Sequence, residues 1–187
     1  MEPIPEFSEV LAAAQAGDER AADVLFMAHQ PFLLRYLRSQ ERRTAEDLAG
    51  EVWLAAAQGL ADFRGDGTDF RAWLFSIARR RVADHRRRGI RRRTDSVDPE
   101  TFAEMEAVGD TEETAVDRVS AQEAVDLMVR HLSRDQAEVL IFRVVADLDA
   151  ARTAVLMGRS ESWVRTTQQR ALQRLARRLG RESGVTI

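Results

Sequence analysis

Three residues at fixed spacing, Ala154, Gly158 and Val164, constrain this chain more than any other feature of it. They lie in the stretch Leu132–Leu179, LSRDQAEVLIFRVVADLDAARTAVLMGRSESWVRTTQQRALQRLARRL. A helix-turn-helix needs a small residue where its helices cross and a glycine free to take positive φ in the tight turn. It also needs an apolar residue to seat the second helix on the first. The local punctuation agrees. Ser133 and Gln136 stand at capping-box spacing ahead of an apolar run. Asp149 can cap a short helix, and Ser160 can cap a further one running through Arg177. Val164, Ala171, Leu172, Leu175 and Leu179 are predicted to form an inward stripe. That leaves Ser162, Arg165, Thr166, Gln169 and Arg170 outward, side-chain types that reach base edges and phosphates in a major groove. A plain amphipathic hairpin with a solvated Arg face would not require the small residue, the glycine and the caps together. The pattern predicts duplex DNA as a ligand.

A formal charge of −3 looks unsuited to that ligand until it is divided along the 187 residues. Residues 1–78 carry seven Arg against thirteen carboxylates, and 79–93 carry nine Arg and one Asp. Residues 94–126 then carry eleven carboxylates and the single Arg118, whereas 127–187 return to eleven Arg against six carboxylates. Each positive block can meet its own phosphates regardless of the total. With no Cys there is no disulfide framework and no thiolate metal site. His29, His85 and His131 are isolated, without metal-ligand spacing. No cofactor and no metal is expected. The N-terminal MEPIPEFSEV lacks the basic and apolar regions of a signal peptide, and the apolar run Val52–Ala57 is far too short to span a bilayer. These features predict a soluble, cytoplasmic protein without membrane insertion.

The rest of the chain is rich in Ala, Leu, Arg and Glu and shows no alternating strand pattern, which predicts an all-α fold. Helices are expected over Phe7–Ala16, Glu19–Arg38 with a bend or break at Pro31, Thr44 to about Leu60, and Phe70 to about Arg88. Asp62–Asp69, with two glycines, reads as a loop. Residues 94–117 have weak periodicity and high negative charge and read as a flexible acidic linker. Helix is expected to resume near Val116. The domains are then 1–93 and 118–187, two small helical units on a tether. In the first, Phe70, Trp73 and Phe75 precede Arg79–Arg81 and Arg86–Arg88 on one helix. Aromatic faces can stack on unpaired bases while Arg tracks a backbone, a pairing suited to single-stranded nucleic acid.

The stretch Ala45–Arg88, AEDLAGEVWLAAAQGLADFRGDGTDFRAWLFSIARRRVADHRRR, resembles region 2 of bacterial sigma factors, and Leu132–Leu175 resembles region 4. With only these two regions and a short linker, the chain resembles the extracytoplasmic-function (ECF) group of the sigma-70 family. The resemblance implies an alternative sigma factor that binds core RNA polymerase, recognises −35 and −10 promoter elements and assists melting. Asp47, Leu48, Glu51, Val52 and Trp53 match the segment that grips the β′ clamp helices of the polymerase, and region 4 would meet the β flap. Arg64, Asp66, Phe70 and Trp73 match the loop and helix that hold the melted −10 strand, with Ser76, Arg79, Arg80 and Asp84 at its upstream edge. Ser162, Trp163, Arg165, Thr166, Gln169 and Arg170 match the helix that enters the −35 major groove. The acidic linker would thread the polymerase's basic channel, its carboxylates imitating RNA phosphates. An anti-sigma factor is a further partner of the family. The family has no catalytic residues, so the chain is not expected to be an enzyme.

The sequence also departs from the family pattern. Gly50 stands where Gln is common, Arg80 where many members have Asn, and Trp163 where a small residue is usual. Trp163 can equally pack inward or touch a thymine methyl. Two other functions compete with this one: a stand-alone helix-turn-helix repressor or activator, which leaves the aromatic–Arg helix unused, and a nuclease, which needs carboxylates clustered on a rigid scaffold.

Overall fold

The computed structural model describes residues 6–95 and 112–182. It contains eight helices: α1 (Phe7–Gln15), α2 (Glu19–Gln40), α3 (Ala45–Gly59), α4 (Gly67–Asp95), α5 (Glu112–His131), α6 (Arg134–Leu140), α7 (Ala150–Met157) and α8 (Glu161–Glu182). No strand occurs among the described residues. Caps set most of the starts. The Asp18 carboxylate accepts from the Ala21 N–H at 2.9 Å and opens α2. Ser133 and Gln136 form the reciprocal box at α6, and Asp149 accepts from the Arg152 N–H at 2.7 Å at α7. Each such cap satisfies donors that the first helical turn leaves open.

Several helices, α2, α4 and α5 among them, run further than local reasoning predicts. α2 continues through Pro31 without a break. Proline removes the N–H that would serve the Met27 carbonyl, and Met27 is exposed, so water can take that bond. Thr44 makes no side-chain cap on α3 and is instead the last residue of a short turn of 3₁₀ helix, Arg42–Thr44. α4 begins at Gly67 and reaches Asp95, and α5 starts at Glu112, so both ends of the expected linker are helical. Its acidic centre, 96–111, lies outside the described residues.

α1 to α4 form one bundle, whose buried centre includes Leu25, Leu33, Leu48, Val52, Phe70, Leu74 and Phe75. α5 to α8 form a second, smaller one, with its own cluster of Leu132, Ala137, Leu140, Ala171 and Leu175. After Leu140 the chain widens into a π turn, Ile141–Val145, closed by the Ala146 N–H on the Ile141 carbonyl at 2.9 Å. This wider turn carries fully buried Phe142, whose ring packs against Tyr36 of α2 (centroids 5.2 Å) and Phe75 of α4 (5.8 Å). The two bundles therefore share an apolar core.

One buried group makes stability pH-dependent. His29 is 3% exposed, its ring edge-on to Phe70 at 5.0 Å. Its Nδ1–H donates to the Leu25 carbonyl at 2.8 Å, because a carbonyl can only accept. Burial, the largest effect, lowers its pKa from 6.5. The unfolded chain then takes up a proton at a pH where the folded chain does not. The stabilisation is full above 6.5 and is lost as pH falls from there through the lower folded value. Thermal unfolding between pH 8 and 5 should show this decline, and His29→Leu should flatten it. An identical pH slope in the variant would place the titration elsewhere.

Candidate nucleic-acid interface

The loop before α4 sets the first face. Gly65 has φ 153°, and a Cβ there would lie 2.6 Å from the Asp69 Cβ, so only glycine fits. Asp66 then caps α4, its Oδ1 accepting from the N–H groups of Thr68 and Asp69 at 2.8 Å each, while Asp69 Oδ2 accepts from the Asp66 N–H at 3.1 Å. From this start, Asp69, Trp73, Ser76 and Arg80 fall along one side of the helix, as their spacing requires. With Arg79 and Arg87 they line one wall of a cavity of about 830 Å³. The opposite wall belongs to the second bundle: Arg134, Arg152, Val155 and Leu156.

Trp73 is the aromatic available on this wall. It is half-buried, packed against Phe63 (5.1 Å) and Phe70 (5.6 Å). Phe70 (1% exposed) and Phe75 (0%) are core side chains and cannot stack on a base, which corrects the expectation for both. Arg64 and Asp84 are off this wall: Arg64 donates to the Ala61 and Phe63 carbonyls, and Asp84 pairs with Arg87 at 2.7 Å. Asp66 lies at the N-terminus of α4, 3.8 Å from Arg152.

On α3, Asp47 is exposed, but Leu48 and Val52 are buried, at 1% and 0%. Those two can support a partner surface but not touch it. Trp53 is half-buried and donates to Gln30 Oε1 at 2.7 Å. Glu51 lies 3.5 Å from Arg88 and 4.0 Å from Arg81. The surface ridge is instead Asp47, Glu51 and Leu54, one helical face, and Leu54 is 63% exposed.

The second face is on α8. Gly158 ends α7 with φ 64°, Ala154 sits at the crossing 5% exposed, and Val164 is fully buried. The Ser160 hydroxyl accepts from the Trp163 N–H at 3.3 Å. Ser162, Arg165, Thr166, Gln169 and Arg170 are all exposed. Arg165 pairs with Glu161 at 3.0 Å, a solvent-exposed contact that is weak and exchangeable. Trp163 is half-buried against the core, with the Arg159 guanidinium over its ring at 5.2 Å. The inward stripe is narrower than predicted: Ala171 and Leu175 are buried, but Leu172 and Leu179 are 48% and 39% exposed.

Three further residues tie the faces together and are not evident from local patterns. Arg152 reaches across from α7, its Nε 2.9 Å from Asp69 Oδ1 and its Nη2 2.7 Å from the same oxygen. The Asp66 N–H and this guanidinium hold the Asp69 carboxyl below its usual range. Glu138 of α6 is 2% exposed and accepts from the Tyr36 hydroxyl at 3.0 Å and from Arg79 Nε at 3.2 Å. Burial, reinforced by Glu138, pushes the Tyr36 phenol well above its ordinary pKa. The one available signal was Glu138 itself, a charge inside the apolar run AEVLIF.

Among the described residues no helix is long and apolar enough to cross a membrane. Residues 25–94 match the Sigma-70 region 2 family, and residues 122–175 match Sigma-70, region 4. The ECF RNA polymerase sigma factor SigD of Mycobacterium tuberculosis is 37% identical over 174 residues, which cover 89% of this chain and 80% of SigD. BldN of Streptomyces coelicolor is 35% identical over 173 residues, 91% of this chain but 65% of BldN. Two solved structures share the fold: CnrH in complex with the cytosolic domain of CnrY (TM-score 0.60, 21% identity, 92% of this chain and 96% of CnrH) and RpoE of Bartonella quintana in complex with the anti-sigma factor NepR (0.59, 24%, 82% and 93%). Both matched regions lie in the expected order within one chain, and the likeness to SigD extends over most of both proteins. The chain therefore belongs to the ECF group of the sigma-70 family of RNA polymerase sigma factors.

Proposed function

We propose that this chain directs transcription initiation by three surfaces. The Asp47–Glu51–Leu54 ridge of α3 takes the clamp helices of core polymerase. The Trp73–Ser76–Arg79–Arg80 wall of α4 holds the melted −10 strand. Ser162, Arg165, Thr166, Gln169 and Arg170 of α8 read the −35 duplex. The observation that carries this reading is that one chain bears two basic faces of different kinds, an aromatic–Arg wall suited to single strands and a polar helix face suited to a major groove. Joined to each other and to polymerase, two weak DNA contacts combine through effective concentration. A stand-alone repressor would use only the second face, and family membership favours the sigma-factor reading over it. The polymerase supplies the chemistry, and the cytoplasm is the compartment in which the chain would meet it. An anti-sigma factor is a fitting regulatory partner. Transcription in vitro with core polymerase on a promoter library tests the whole reading: no start sites beyond those of core alone would reject it.

The α8 face makes a sharper prediction. Arg165 and Gln169 are exposed and four apart, one turn into the helix, where side chains reach base edges. Arg165→Ala should cost about 1–3 kcal/mol on the preferred −35 sequence and much less on a scrambled one. Arg178, exposed near the far end of α8, should touch phosphate alone. Its loss should weaken both sequences alike and make the salt dependence shallower by about one unit. Selection of promoters by the Arg165 variant reads this out. A retained parental −35 preference would mean the reading face lies elsewhere.

A further inference from the structure

The reading face assigned to α8 leaves out the turn just before it, and that turn carries a cation held by a ring rather than by a carboxylate. Gly158 ends α7 with φ 64°, and the Arg159 N–H donates to the Ala154 carbonyl at 2.9 Å, so α7 fixes the backbone of the turn. Arg159 is exposed, and its guanidinium lies over the Trp163 ring, 5.2 Å from the centroid. Trp163 packs against the core, and its backbone N–H donates to the Ser160 hydroxyl, so the ring is anchored. Among the described residues no carboxylate pairs with Arg159, whereas nearby Arg152 and Arg165 pair with Asp69 and Glu161.

We infer that Arg159 is a further DNA-contacting residue, a clamp on a backbone phosphate beside the groove that α8 enters, and that Trp163 is the positioning residue that holds it ready. This rests on the assignment of α8 to duplex DNA. In a helix-turn-helix the first helix crosses the backbone and the second enters the groove by its N-terminal end, so the turn between them runs beside the phosphates. A cation there meets charge and not base edges, and its contribution is blind to sequence. Stacking uses the flat face of the guanidinium and leaves its N–H edge open, so one group can rest on the indole and donate to phosphate oxygens together. A free arginine loses rotamer freedom when it meets a phosphate, and one already laid on an anchored ring has lost much of it beforehand. A small side chain at position 163 would offer no such platform. The ring therefore serves the DNA through Arg159, not by touching a thymine methyl.

The test is a double-mutant cycle on the full chain, titrated onto a fluorescent duplex of mixed sequence over a range of salt concentrations. Arg159→Ala should weaken binding about tenfold and make the salt dependence shallower by about one unit. Trp163→Leu keeps apolar bulk against the core but removes the aromatic face, and should weaken binding about threefold by loosening Arg159. The same substitution made in the Arg159→Ala chain should cost nothing further, because the group it positions is gone. Trp163→Phe, which restores a ring, should recover most of the parental affinity. Parental affinity and salt slope in Arg159→Ala overturn the clamp. A Trp163→Leu loss of equal size with and without Arg159 overturns the positioning role and makes the indole a packing residue alone. Because mixed-sequence DNA carries no −35 element, failure of the −35 reading shows separately: a parent that grips this duplex through Arg159 yet prefers no promoter sequence upholds the clamp and rejects only that reading.

Discussion

Exchanging both Asp47 and Glu51 for Arg is expected to abolish co-purification of the chain with core polymerase while leaving its helix content intact. The two carboxylates lie one turn apart on the outer side of α3, with exposed Leu54 a further turn along. Behind them Leu48 and Val52 lock the helix to the core, so the ridge is rigid. Two carboxylates in line with an exposed leucine suit a basic, apolar helix pair. Losing one desolvated charge pair at an interface costs about 2–5 kcal/mol, and reversing two charges adds repulsion, so affinity should fall by more than about a hundredfold. The fold should survive. Asp47 is exposed, and the Glu51 contacts to Arg81 and Arg88 are surface pairs worth about 0–1 kcal/mol each. Equilibrium binding to immobilised core polymerase, with thermal melting as the control, decides the matter. Parental affinity in the double variant would remove α3 from the polymerase contact.

Trp73→Ala is expected to reduce transcription from a duplex promoter far more than from one supplied with a pre-melted bubble. The indole rests on Phe63 and Phe70 while another part of it faces the cavity wall. Base-on-aromatic stacking is worth about 1–3 kcal/mol, and extruding a base from the duplex costs about a few kcal/mol, so this ring can carry a large share of the opening step. On the duplex the loss should approach about a hundredfold. On the bubble, where opening is already done, only residual contact is lost. Gly59→Ala supplies a second test that keeps the ring. Its Cβ would stand 3.0 Å from the Trp73 Cζ2, displacing the indole slightly, and should reproduce the same bias in milder form. Equal losses on both templates, with a lowered melting temperature, would make Trp73 a structural residue.

How far the sequence alone was legible varies with the range of the interaction. Helix starts such as the Ser133–Gln136 box and the Asp149 cap depend on partners three residues away, and the left-handed Gly158 depends on its own backbone. Side-chain facing was harder. Spacing groups Leu48, Glu51 and Val52 on neighbouring rows of α3, but it does not say which row meets the bundle. The set that the resemblance assigns to the polymerase therefore holds two core residues, Leu48 and Val52, and omits the exposed Leu54. Likewise Phe70, Trp73 and Phe75 share a composition signal for stacking, and only packing separates the half-exposed indole from two buried rings. Leu172 and Leu179 have the spacing of a stripe that α8 buries only at Val164, Ala171 and Leu175, because α6 and α7 cover a narrower strip of it than the heptad supplies.

By itself, then, the sequence determined the all-helical class, the turn and caps of the region 4 motif, the two basic blocks, and the family to which they belong. Each of these is a property of neighbouring residues or of residue types in order. Only the tertiary structure decided that the two bundles close on one another. The bonds responsible join residues 102, 59 and 83 positions apart: Tyr36 to Glu138, Arg79 to Glu138, and Arg152 to Asp69. No local spacing pairs such residues. A carboxylate in an apolar run announces that a partner must exist, since burial without one is too costly. Which hydroxyl and which guanidinium meet it depends on how two separately folded surfaces fit.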